Sequence, residues 1–435
     1  MTTTLAEPAG RPSREAKPPA PVSPAAPDPL ALVVQATSLL LLNAETTERT
    51  LMAGARLAEA LGHRATVFPR WDELHVRIEN EQGSRAHIAP IAPVAVDMHK
   101  VLETERVVDA ISRGELSPEE GRSAFARISA LPPVTLGRFV LAAAVGACAL
   151  AAVWGASRPS TFPLIAFSAG AGALLRRGLS RVIPTFLAQP FGAALIAGLV
   201  GGLAQRFQLD SALALALIAV CPCMVLFPGP HFLNGFSDLA RARIALGCAR
   251  LAFAGVVILA ISAGLLLGLS LVGASLPVSP PSRSIPLPLD VVGAGLAVSA
   301  FASFYSMPWR YLPIPMLLGA CAHGMRWWLL ALGTSAEAAA FVACFLVGVV
   351  VTLLAPRLRQ PCSALSFAAV VTLIPSVLLF RMAAGLVELA RVGETVHPGL
   401  ASAVLSNGAM ATLILLAMGF GLTLPRLLVD RFHDG

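Results

Sequence analysis

Two patterns of apolar and polar positions follow one another along the 435 residues. In the second, uncharged runs punctuated by single arginines or acids approach or exceed the ~20 residues that a membrane-spanning helix needs. Arg138 to Arg158 encloses 19 uncharged residues, Arg158 to Arg176 17, Arg181 to Arg206 24, Asp210 to Asp238 27, and Arg250 to Arg283 32. Five spans are expected there, followed by a Pro- and Ser-rich stretch, LPVSPPSRSIPLP, at 276–288. A second set follows: 19 residues from Asp290 to Arg310, 15 from Arg310 to Arg326, 19 from Glu337 to Arg357, 21 from Arg359 to Arg381, and 31 from Glu394 to Arg426. The 15-residue window runs on through Trp327 and Trp328, residues suited to a membrane interface. Ten spans are expected in all.

The first pattern is that of a small α+β unit. LALVVQATSLLLL at 30–42 predicts an apolar helix, and capping residues in NAETT precede a second helix at about 47–61, ended by Gly62. Three short strand-like runs follow, Ala65–Pro69, Leu74–Glu79 and Arg85–Ile91, with a turn at Gln82-Gly83. Helices are expected again at about 97–112 and 117–129. The second opens on Ser117-Pro118-Glu119-Glu120, an N-cap followed by proline and first-turn acids. The expected division is a disordered Pro/Ala-rich lead at 1–29, a cytoplasmic domain at 30–132, a five-helix module at 133–275, a linker at 276–289, a second five-helix module at 290–428 and a tail at 429–435.

Composition sharpens this division. Apolar residues make up 56% of the chain and charged residues 13%, which excludes a disordered chain, a collagen-like fibre and an ordinary soluble enzyme. Residues 1–130 carry 14 basic and 17 acidic groups; residues 131–435 carry 18 and 8, and no lysine. Their scattered arginines read as membrane anchors, not as a nucleic-acid surface. With the N-terminus inside, 12 arginines flank the cytoplasmic side and 6 the outer side, so both termini are expected in the cytoplasm. The Pro/Ala-rich start does not read as a secretory signal.

Gly235–Arg241 reads GFSDLAR and Gly385–Arg391 reads GLVELAR, each after an apolar span that ends near a proline. Both lie between the fourth and fifth span of a five-span half. Halves with an odd number of spans insert in opposite orientations, which makes an inverted repeat with Pro-broken helices at the transport site. Candidate pathway residues are therefore Pro228, Gly229, Asn234, Asp238 and Arg241 in the first half, and Pro375, Arg381 and Glu388 in the second. Asp238 and Glu388 could bind a proton or a substrate ammonium, Asn234 a substrate and Arg381 a carboxylate; salt bridges, capping and snorkelling are the structural alternatives. His231 and His323 are candidate proton relays, with satisfied buried histidines as the alternative.

Other chemistry is weakly signalled. The four histidines at 63, 75, 87 and 99 lack metal-binding spacing, and the cysteines do not form a disulfide framework. Cys221-Pro222-Cys223 could hold a soft metal, but no D-K-T-G-T phosphorylation motif accompanies it, and Pro222 reads as a kink. No P-loop, G-x-S-x-G or HExxH motif occurs. No cofactor, metal or enzymatic activity is expected.

Three stretches carry a resemblance: LLNAETTERTLMAGARLAEALG (41–62), VDMHKVLETERVVDAISRGELSPEEGRSAFARISALPP (96–133) and FPGPHFLNGFSDL (227–239). They resemble the threonine/serine exporter family. The resemblance implies a cytoplasmic domain before ten helices in two related modules, and places Pro228, Gly229, Asn234, Gly235 and Asp238 on motif positions. Where the family tends towards a second Pro-Gly, this chain has Pro375-Ser376. The implied activity is proton-driven secondary export of a small amino acid across the inner membrane. Its partners are the substrate, protons and the lipid bilayer, with room for a homo-oligomer and no role for nucleic acid. Two other readings remain open: export of a dicarboxylate such as succinate, and a membrane-anchored sensor or enzyme working through the cytoplasmic domain.

Overall fold

The computed structural model describes residues 28–156, 158–183, 185–208, 212–276, 285–358, 362–392 and 398–433. The lead at 1–27 and most of the linker lie outside these. Helices α1 (Pro29–Leu42) and α2 (Thr47–Ala60) come first. The Asp28 carboxylate accepts from Leu30 N, and Thr46 Oγ1 accepts from Arg49 N, so both helix starts satisfy free amides. A three-stranded antiparallel sheet follows, in the order β1 (Arg64–Pro69), β2 (Glu73–Asn80), β3 (Gly83–Pro90). Leu74, Val76 and Ile78 alternate along β2 and bury one face against α1. Helices α3 (Met98–Ser112) and α4 (Pro118–Ser129) close the unit, α4 behind a Ser117–Glu120 capping box. Helix α1 is apolar all round because α2, α3, α4 and the sheet surround it.

The remainder is helical. The first half holds α5 (Leu136–Val153), α6 (Thr161–Val182), α7 (Ala188–Arg206), α8 (Ala212–Met224), α9 (Gly229–Ala240) and α10 (Ile244–Leu271). The second holds α11 (Leu287–Phe304), α12 (Pro313–Ala331), α13 (Ala336–Leu358), α14 (Cys362–Val370), α15 (Ser376–Val392) and α16 (Pro398–His433). Among the described residues six helices are long and apolar enough to cross a membrane: α5, α7, α10, α11, α13 and α16. The pairs α8–α9 and α14–α15 each qualify as one bent crossing, with bends of 58° and 47°, which raises the number to eight. Helices α6 and α12, on the second and seventh expected spans, do not qualify; Arg176, Arg177 and Arg181 interrupt one, and His323 and Arg326 the other.

Proline sets both bends. Pro228 and Pro375 have no amide hydrogen to continue a helix, and each disfavours helical backbone in the residue before it. Ile374 is accordingly extended, at φ −62° and ψ 128°, after a 3-10 turn at Val371–Leu373.

The two halves repeat one set of neighbours. Helix α5 packs on α6, α6 on α7, α7 on α10 and α9 on α10; α11 packs on α12, α12 on α13, α13 on α16 and α15 on α16. The leading helices α5 and α11 also pack on each other, and they run antiparallel. Phe139 near the start of α5 stacks on Phe304 at the end of α11, ring centroids 4.4 Å apart. Gly293 near the start of α11 abuts Val153 at the end of α5. The helical part shares one apolar core, which Met98 and Leu102 of α3 join, while the rest of the N-terminal unit has its own.

Candidate functional site

The first bend meets the N-terminal unit. The turn Asn43–Thr46 between α1 and α2 lies against α9, with Ala44 held at φ 68°, a left-handed conformation that costs a non-glycine residue energy. Asn234 Nδ2 donates to Ala44 O at 2.9 Å. Thr47 Oγ1, at the start of α2, donates to Asp238 Oδ2 at 3.0 Å. Arg250 Nε lies 3.3 Å from the same oxygen, and Arg243 Nη1 3.6 Å from Oδ1. Both Asp238 and Arg250 are only 2% exposed. The carboxylate is thus neutralised inside the protein by a residue two turns into α10.

Glu48 draws the other cations. Arg243 Nη2 donates to Glu48 Oε2 at 2.7 Å, and Arg241 Nη1 lies 3.4 Å from that oxygen. Burial pushes the Glu48 carboxyl up, but the hydrogen bond from Arg243 and the charges of Arg241, Arg243 and Arg426 outweigh it. Glu48 therefore titrates below its ordinary range and stays ionised at neutral pH. A small cavity of about 90 Å³ lies between this turn, Asn234, Arg241 and, from the second half, Thr352, Thr423 and Arg426.

A second cavity, about 450 Å³, lies beside the first. Leu226–Pro228 of the bend, Phe253 and Val257 of α10, and Phe304–Tyr305 at the end of α11 line it, with Asp97 and Lys100 of the N-terminal unit. His231 faces it between aromatic rings, with centroids 4.7 Å from Phe253 and 6.2 Å from Trp71. Pro228 lines this cavity, and Gly229 packs so close to Phe367 and Ile374 that a Cβ would fall under 3 Å from each.

A third cavity, about 620 Å³, repeats these walls in the other half. Leu373–Pro375 of the second bend, Met410 and Ile414 of α16, and Val153–Trp154 at the end of α5 line it. It lies at the end of the bundle away from the N-terminal unit, since α5 and α11 run oppositely. Its polar groups are Asp290, His323, Arg326, Thr372 and Arg381. His323 Nδ1 is 3.3 Å from both Asp290 oxygens.

The expected residues thus divide. Asn234, Asp238 and Arg241 meet at the first bend, while Pro375, Arg381 and His323 meet at the second. Glu388 joins neither group: it is exposed on α15, and the GLVELAR register does not bring it to the position of Asp238. Counting from the prolines explains this. Asn234 and Arg381 each follow their proline by six residues and are buried, whereas the GxxxLAR stretches start seven and ten residues on, about a helical turn out of step. Sequence reasoning missed Arg250, Asp290, Arg326 and the Thr47–Glu48 pair. Arg250 read as a cytoplasmic anchor; the signal available was its place beyond Arg241 and Arg243, which already serve as flanking cations.

Among the described residues no group of three metal-ligating side chains comes together. No solved structure matches the chain. A family model of threonine/serine exporters matches residues 31–272, and a second, described as Threonine/Serine exporter, ThrE, matches residues 290–428. The two matches lie on either side of the Pro-rich linker and together cover 381 of the 435 residues. The chain belongs to the threonine/serine exporter family.

Proposed function

We propose that this protein exports threonine or serine across the cytoplasmic membrane as a proton-coupled secondary transporter. The observation that carries the reading is the pair of proline-bent helices, each facing a cavity with polar walls, at opposite ends of the bundle. Broken helices free backbone amides and carbonyls at membrane depth, which is tolerated where protein or a polar cavity covers them. Ten crossings in two inverted five-helix modules, 133–275 and 290–428, accord with the repeated neighbours and the antiparallel α5 and α11. Both termini then face the cytoplasm, and the unit at 30–132 closes the inner end in this conformation. Alternating access follows from rocking one module against the other. The protein, as an exporter, has no enzymatic step of its own.

The test is efflux of radiolabelled threonine and serine from proteoliposomes, with and without an imposed pH gradient. Gradient-stimulated efflux of either amino acid supports the reading. A protein that moves succinate and neither amino acid would overturn it, and a protonophore-insensitive flux would remove the proton coupling.

A further inference from the structure

The cavity remote from the N-terminal unit holds an unbalanced set of charges. Arg381 on α15 is 8% exposed, lines the cavity beside the bend, and has no hydrogen bond or ion pair among the described residues. Arg326 on α12 lines the same space without an ion-pair partner within 4 Å among those residues. Among the described residues the one carboxylate on these walls is Asp290, which lies 3.3 Å from His323 Nδ1 and also attracts Arg326. Among the described residues the two guanidiniums of Arg326 and Arg381 thus share these walls with a single carboxylate. Two further polar atoms, His323 Nε2 and Thr372 Oγ1, are buried here and unpartnered. A buried guanidinium such as that of Arg381 calls for an anion, and its planar fork matches a carboxylate through two parallel N–H···O bonds. The volume lies within the range of about 300–1,000 Å³ common for small-molecule sites.

We propose that this cavity is a binding site for an α-amino acid, in which Arg381 anchors the substrate carboxylate and Asp290 receives the ammonium. The inference rests on the exporter reading and goes beyond it, assigning a site to the half that lacks the Pro-Gly break. His323 Nε2 and Thr372 Oγ1 remain to meet a hydroxyl of the ligand, which favours threonine and serine over an aliphatic amino acid. The position corresponds to Asn234 in the other half, also six residues after its proline. There the neighbouring acid is already matched by Arg250 and Thr47, so the two ends differ in readiness to take a charged ligand.

The test is calorimetric titration of the full-length protein in nanodiscs with L-threonine, threonine methyl ester and succinate, alongside flux in proteoliposomes. Wild type is expected to bind threonine and to bind the ester, which lacks the anionic group, at least tenfold more weakly. Arg381→Gln is expected to lower threonine affinity tenfold or more, Arg381→Lys to restore part of it, and Arg391→Gln, on the exposed face of the same helix, to leave it unchanged. Equal binding of ester and threonine to wild type, a comparison that needs no variant to fold, overturns the anchor. So does unchanged affinity in Arg381→Gln; wild-type threonine flux in either case leaves the exporter reading standing. Arg381-dependent binding of succinate without binding of threonine overturns the amino-acid assignment. If wild type carries no threonine or serine at all, the exporter reading itself fails.

Discussion

Asp238 shows why a charge inside this bundle acts as a lock. Its carboxylate is shared by Thr47, Arg243 and Arg250, so neutralising it leaves the buried arginine of α10 without the counter-ion it contacts. Removing one partner of a buried pair costs about 3–5 kcal/mol, whereas replacing both by apolar groups is often near neutral. Asp238→Asn is therefore expected to lower the melting temperature and the flux together. Adding Arg250→Met is expected to recover much of the melting temperature and none of the flux. A double mutant no more stable than the single one would show that the two groups do not act as a pair. Glu105 offers a separate test by pH. It sits in α3 facing Arg56, with Nη2 to Oε2 at 3.0 Å, yet burial pushes its carboxyl up to about 7 against the pull of Arg49 and Arg56. The folded chain thus holds this proton more tightly than the unfolded one. The group's contribution, on the order of 3 kcal/mol, is complete below about pH 4.5 and lost as pH rises through 7. Melting temperatures at pH 5 and 7.5 should converge in Glu105→Gln relative to wild type. At this scale the sequence was legible for residues next to helix-breaking signals: Asn234 and Asp238 follow Pro228-Gly229, and Arg381 follows Pro375. Arg250 and Asp290 were not, because a lone charge at the edge of an apolar run reads the same whether it snorkels outward or turns inward to a partner.

Among the elements, the closest packing is made by residues with no side chain to offer. Helices α7 and α10 touch through Gly198, Gly264 and Gly268, spaced as small residues are at membrane helix contacts. A Cβ on Gly198 would lie 2.2 Å from the Leu265 carbonyl oxygen, a backbone atom that cannot move aside without shifting α10. Gly198→Ala should destabilise by about 1–3 kcal/mol. Gly255→Ala, on the same α10 but with open space around the new methyl, should be neutral or mildly stabilising. Equal melting temperatures for the two variants would refute a close-packed α7–α10 contact. The N-terminal elements were legible almost residue by residue, because caps and strand alternation are local chemistry. The seventh expected span was the least legible. Arg326 ends the apolar window there, but in the structure it lies within α12, which continues to Ala331 while Trp327 Nε1 donates to Ile285 O at 2.7 Å. An arginine that faces a cavity breaks the hydropathy pattern without breaking the helix.

For the whole molecule, the decisive property is the relation between the two bends. The end of α9 meets Thr47 and Glu48 of the N-terminal unit, while Met410 of α16 and Trp154 of α5 border the cavity at the far end. On the proposed inverted arrangement, one bend faces each side of the membrane. Ser237, in α9, lines the cavity beside the N-terminal unit, and Glu388 lies near the end of α15, which leads into the start of α16. In a background without native cysteines, Ser237→Cys should react with a membrane-impermeant thiol reagent only from the cytoplasmic side, and Glu388→Cys only from outside. Threonine loaded on one side should change the Ser237→Cys rate, because α9 must part from the Asn43–Thr46 turn for the inner cavity to open. Glu388→Cys, on an exposed helix face, should keep its rate. Labelling of both positions from one compartment would be incompatible with oppositely facing halves. Such a result would leave two bends on one side of the membrane and no route for a substrate to pass from one to the other.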